Sequence, residues 1–127
     1  MNYERAAAAR DLRVRTKEFS LRIIRMFSAL PKTAVAQVLG RQVLRAGTSV
    51  GANLREAQRG RSRAEFISKV GDCLKELDET AYWLELLSDS GAMKPGKLKA
   101  IRGECEEFLS ILTAISKKSK AGGGGKL

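Results

Sequence analysis

The chain has 127 residues, with 24 Lys and Arg against 14 Asp and Glu, a formal net charge of +10, two cysteines and no histidine. That length suits one domain able to bury its own core without a metal or disulfide staple. Lack of His excludes the Glu-x-x-His di-metal sites of helical bundles, no apolar run nears the ~20 residues of a membrane span, and no signal-peptide pattern opens the chain, so a cytoplasmic setting is expected.

A first helix is expected over about residues 8–30. Leu12, Phe19, Ile23, Met26 and Leu30 step by three and four, with Thr16 in the gap, which is the spacing of a helix face turned to a core. Pro31 fits its stop. A second helix is expected over 34–59, with Thr33 as its N-cap. Val35, Val38, Leu39, Val43, Leu44, Val50 and Leu54 supply its apolar contacts. Gly40, Gly47 and Gly51 each cost about 1 kcal/mol relative to Ala inside a helix. Three of them predict close backbone approach to a neighbour, or a kink.

Gly60 suits the position past the second helix. Ser62-Arg-Ala-Glu65 then reads as a capping box that opens a third helix over 63–89. In it the Ser62 hydroxyl accepts from the Glu65 amide, and the Glu65 carboxylate reaches back to the Ser62 amide. Phe66, Val70, Cys73, Leu77, Thr80, Leu84 and Leu87 form its core face, and Ser88-Asp-Ser-Gly91 its turn. A fourth helix is expected over 95–118, opened by Pro95. Leu98, Ile101, Cys105, Phe108, Leu112 and Ile115 make its stripe. Lys117, Lys118 and Lys120 complement the negative end of its dipole. Residues 121–127 form a Gly-rich tail, expected to be flexible.

Short connections make neighbours antiparallel, so the expected fold is all-α, an up-down-up-down four-helix bundle over residues 1–120. Cys73 and Cys105 fall on core faces and read as small buried packers, with a disulfide or a reactive thiol as the alternative.

Charge is unevenly spread. Residues 1–63 hold 14 Lys and Arg against 4 Asp and Glu, and residues 64–127 hold 10 against 10. Such asymmetry points to an anionic partner. The candidate phosphate contacts are Arg15, Arg22 and Arg25 on the first helix and Arg41, Arg45, Arg55 and Arg59 on the second, with Arg61 and Arg63 following. Arginine's planar fork suits phosphate. Aromatic residues that could stack bases are few: Tyr82 and Trp83 sit where packing or an interface is expected. The pattern therefore favours backbone contact over base reading.

A polar stripe runs beside the apolar one on the second helix: Gln42, Ser49, Asn53 and Glu56. The third helix has an acidic edge that includes Asp72, Glu76 and Glu79. One reading is two solvated faces. The other is a hydrogen-bond network, within the bundle or between subunits, in which Ser49 and Asn53 meet Glu76 or Glu79. No His and no nucleophile paired with a base accompany these carboxylates, so no catalytic residue, metal or cofactor is expected.

Several segments resemble the four-helix bundle family named for the 23S ribosomal RNA intervening sequence. They are Phe19 to Leu30 with Pro31-Lys32-Thr33, Gln42 to Ala57 with its Ser49, Asn53 and Glu56 pattern, Ser62 to Lys69, and Lys75 to Leu84. The resemblance covers about residues 17–118. It implies a homopentamer with a central channel. It also implies likeness to the accessory variability protein of diversity-generating retroelements, a basic pentamer that binds nucleic acid and a reverse transcriptase. Arg55 and Arg59 flank the Asn-x-x-Glu motif, and the Gly-rich tail lies outside the family pattern.

The first expectation for function is a non-enzymatic, oligomeric nucleic-acid-binding accessory protein that contacts the backbone of RNA or DNA, in the service of a reverse transcriptase or an RNA-related process, with no membrane role. The alternative is a protein-interaction scaffold whose charge is incidental. A small-molecule or enzymatic bundle built on Glu56, Glu76 and Glu79 is a third.

Overall fold

The computed structural model describes residues 3–122 as four α-helices: α1 (Tyr3–Ser28), α2 (Ala34–Gln58), α3 (Arg63–Asp89) and α4 (Pro95–Lys120). The expected flexible tail lies outside the described residues from 123 onward. Among the described residues there is no strand. α1 begins five residues before the expected start, because the alanine run 6–9 favours helix and Glu4 sits in the positively polarised first turn.

The helices pack in chain order around one core, all four antiparallel to their neighbours. Contacts on paired helices run in opposite senses: Val50 and Glu56 of α2 face Cys73 and Lys69 of α3, and Arg15 and Arg22 of α1 face Glu107 and Glu104 of α4. α2 and α3 share the largest contact, and α1 and α4 the smallest. On that last seam the rings of Phe19 and Phe108 meet edge to face, 5.6 Å between centroids at 76°. Arg15 lies over the same Phe108 ring at 4.9 Å.

The core faces of α1 and α3 are those the spacing indicates, and so is that of α4 as far as Leu112, beyond which Ser116 and Ser119 are buried and Ile115 is only half-buried. Thr16 is buried and donates its hydroxyl to the Leu12 carbonyl at 2.8 Å, which satisfies it inside an apolar stripe. α2 differs. Val35 and Val38 are more than half exposed, at 55% and 57%. The buried stripe is instead built largely from small residues: Ala36, Gly40, Ala46, Gly47, Gly51 and Ala57, interleaved with Val43, Val50 and Leu54.

Those glycines admit α1. A Cβ on Gly40 would collide with the Leu30 side chain, and one on Gly47 would lie 2.9 Å from Cγ1 of the fully buried Ile23. A Cβ on Gly51 would touch Thr16 at 3.4 Å. Close approach is thus the reason for Gly40 and Gly47, whereas at Gly51 an added Cβ would make only ordinary contact.

The caps follow the sequence with one shift. Thr33 accepts from the Ala36 amide at 3.2 Å. Ser62 accepts from the Glu65 amide at 3.1 Å, but the Glu65 carboxylate accepts from the Arg61 amide at 3.2 Å rather than from that of Ser62. The box closes one residue earlier, on a donor that precedes the helix. At the far end α3 stops at Gly91, whose φ of +76° lies in the left-handed region.

The glycine stripe makes opposite expectations for two kinds of substitution. Gly47→Ala gains helix propensity but overpacks against Ile23, and is expected to destabilise by about 1–2 kcal/mol. Gly103→Ala, on an exposed helical site with nothing within 4 Å of its Cβ, is expected to stabilise by about 0.5–1 kcal/mol. Urea denaturation of both variants checks this; equal shifts would contradict the close-approach account.

Candidate nucleic-acid interface

Antiparallel packing brings residues 3–15, 52–71 and 111–122 to one end of the bundle. That end holds 12 Lys and Arg against 4 Asp and Glu. The other, residues 16–51 and 72–110, holds 11 against 10. Among the described residues the excess positive charge therefore forms a pole of the folded bundle, and the asymmetry along the chain is its partial projection. Lys117, Lys118 and Lys120 of α4 join this pole from the charge-balanced half of the sequence.

The nine candidate arginines separate in space. Arg55, Arg59, Arg61 and Arg63 belong to the pole, Arg61 and Arg63 in the α2–α3 connection and at the start of α3. The Arg63 guanidinium lies beside Gly122, just past α4. Arg15 sits at the pole's edge but is held by Glu107 at 2.9 Å. Arg22 pairs with Glu104 at 3.4 Å. Arg25 and Arg22 flank a separate groove between α1 and α4, floored by Met26, Met93 and Ile101. Arg41 stands exposed on the other half of α2. One continuous arginine surface is not formed, because the first helix turns Arg15 and Arg22 toward α4 and its carboxylates.

Arg45 corrects the expected polar network as well. It reaches across to α3, 3.0 Å from Glu79 and 3.5 Å from Glu76. The Glu79 hydrogen bond is the largest cause of its raised pKa, which keeps an already charged group charged. Ser49 does not reach those carboxylates: its hydroxyl donates to the Arg45 carbonyl one turn back, at 2.7 Å. This local bond is the usual competitor for a helical Ser. Asn53 and Gln42 make no side-chain hydrogen bond among the described residues. Glu56 pairs with Lys69 at 2.8 Å. The seam is thus a set of exposed or half-exposed ion pairs between α2 and α3, of small energetic weight.

Two residues not singled out in the sequence complete the pole. Arg13 donates to the Gln58 side-chain oxygen at 3.0 Å, and the Gln58 amide donates to the Ala9 carbonyl at 3.1 Å. Together with Arg55 and Arg59 they line an open groove of about 420 Å³ between α1 and α2. Their signal in the sequence is faint, since it depends on the register between two helices.

Tyr82 is exposed and Trp83 half-buried, their ring centroids 5.2 Å apart. The Trp83 indole nitrogen is buried and has no hydrogen-bond partner within the chain. Among the described residues no three His, Cys, Asp or Glu side chains gather as a metal site, and no helix is long and apolar enough to cross a membrane.

Cys73 and Cys105 are free and buried, as packers. Their thiols donate to the carbonyls of Val50 and Leu77. Burial, the largest cause, pushes both pKa values up to about 12 from the ordinary thiol range. The folded state therefore holds these protons more tightly than the unfolded one. Their contribution to stability is complete below about pH 9 and is lost as pH rises toward 12. Native protein at pH 8 is expected to resist a thiol reagent that labels both cysteines in urea. Rapid labelling without denaturant would contradict this burial.

Comparison with known proteins adds lineage to this geometry. The family model described as 23S rRNA-intervening sequence protein matches residues 10–114. Among solved structures, a protein of unknown function from the S23 ribosomal protein family of Bacteroides thetaiotaomicron VPI-5482 is 37% identical, with a TM-score of 0.80. The match covers 86% of this chain and 97% of that one. No curated protein matches the chain.

Proposed function

The chain belongs to the 23S rRNA-intervening sequence protein family, and from that premise we propose that it is a non-enzymatic, nucleic-acid-binding accessory protein. Its basic pole engages phosphate backbones. The observation that supports this reading is the separation of charge within the fold: 12 cationic against 4 anionic side chains at one end, near balance at the other. Among the described residues Arg55, Arg59, Arg61 and Arg63 have no ion-pair partner, whereas Arg15, Arg22 and Arg45 are already paired with carboxylates.

The reading includes a cytoplasmic location and self-association into a pentamer. Val35, Val38 and Tyr82 are exposed away from the basic pole and offer apolar surface for assembly. Five copies would carry about +50 formally and bind polyanions strongly at low salt. A reverse transcriptase is one partner such an assembly would serve. A second reading, a scaffold that docks another protein, is favoured by the half-buried Trp83 with its unsatisfied indole N–H beside exposed Tyr82.

Binding to structured RNA and to duplex DNA across a salt series, with the particle mass measured in the same buffers, tests the first reading. Affinity is expected to fall steeply, with a log–log slope of about −4 or steeper for at least four phosphate contacts. Weak binding at low salt, or a flat response, would overturn it and leave the scaffold.

A further inference from the structure

The groove between Arg13, Arg55 and Arg59 does not stand alone. It adjoins a second groove of about 380 Å³ along the same α1–α2 edge, and the two share Arg13 and Arg55. Their linings differ in kind. The first presents three guanidinium groups and the Gln58 amide. None of these arginines has a carboxylate within ion-pair distance among the described residues. Gln58 is fixed at both ends of its amide, so it orients Arg13 without neutralising it. Three cations converging without a counter-charge suit a phosphate group.

The second groove is lined by Val14, Lys17, Glu18 and Leu21 besides the shared arginines. Val14 is 57% and Leu21 42% exposed, a pair of large apolar side chains one heptad apart on α1. Glu18 has no ion-pair partner among the described residues. A free carboxylate repels phosphate, but it accepts hydrogen bonds from nucleobase amino groups. Apolar surface beside a free acceptor fits the flat face and polar edge of a base.

We propose that this edge of the basic pole is a track for single-stranded nucleic acid. A phosphodiester sits among Arg13, Arg55 and Arg59, and the adjoining base lies on Val14 and Leu21 with its edge toward Glu18. The inference rests on the nucleic-acid reading above and narrows it, because a duplex keeps its base faces stacked and cannot fill the second groove. It also separates a polymer phosphate from free phosphate, which would need only the first groove.

The test uses the full chain and an oligonucleotide of roughly 12 nucleotides, single-stranded or annealed to its complement, followed by fluorescence anisotropy. The single strand is expected to bind at least about tenfold more tightly than the duplex, and millimolar inorganic phosphate to leave it bound. Arg55→Gln and Arg59→Gln should each weaken binding about tenfold and reduce the salt slope by about 1. Val14→Ser with Leu21→Ser, at exposed positions that spare the core, should weaken the single strand severalfold and leave the duplex unchanged.

Three results would overturn the track. Equal binding of both forms, with the Val14 and Leu21 variant unaffected, would make the pole a generic backbone surface. Ready displacement by inorganic phosphate would make the groove a free-anion site. Wild-type binding that ignores Arg55→Gln and Arg59→Gln would place the contact elsewhere. In all three the broader nucleic-acid reading survives; failure of the wild-type protein to bind any form would remove both.

Discussion

The contact between α1 and the small-residue stripe of α2 sets the register of the whole pole. With Gly40, Gly47 and Gly51 facing Leu30, Ile23 and Thr16, the two helices approach closely enough to fix their axial alignment. That alignment brings Arg13 beside Gln58, and so places it in one groove with Arg55 and Arg59. A larger residue in the stripe would move α1 outward or along its axis, and the three guanidiniums would no longer converge. Dense cores transmit such displacements because they have little free volume to absorb them.

The bundle then sorts its charges by seam. Where α1 meets α4, its arginines find Glu104 and Glu107 and become structural. Where α2 meets α3, Arg45 and Lys69 find carboxylates on the neighbouring helix or, for Lys69, on both. Among the described residues, Arg55, Arg59, Arg61 and Arg63 gather without a carboxylate partner at the end where α2 closes and α3 begins. Like charges held together raise the free energy of the bare protein, and a bound polyanion relieves that repulsion. Function on this account lies in what folding leaves unpaired.

Much of this was legible in the sequence. The core faces of α1 and α3, and that of α4 as far as Leu112, follow directly from three-four spacing, and the caps at Thr33 and Ser62 and the turn at Gly91 from residue type. The exception is α2, where search for large apolar residues selects Val35 and Val38, yet packing selects Ala36, Gly40 and Ala57. Period alone cannot tell which of two offset stripes is buried when the buried one is made of small residues. The candidate site was legible only in part. Arg55, Arg59, Arg61 and Arg63 are near in sequence and stay near in space. Arg13, Gln58 and the lysines at the end of α4 join them through tertiary register, and Arg22 and Arg45 leave them because of carboxylates more than 30 residues away. Pairings of that range have no signature in local spacing.

The central claim is that one end of the bundle, and not its surface at large, meets nucleic acid. The most direct measurement is the pattern of backbone amide NMR shifts as RNA is added at moderate salt. The account requires the perturbed residues to cluster within 3–15, 52–71 and 111–122, with extension along α1 no further than the groove residues Lys17, Glu18 and Leu21. Perturbations centred on residues 72–110, or spread evenly over both ends, would contradict it.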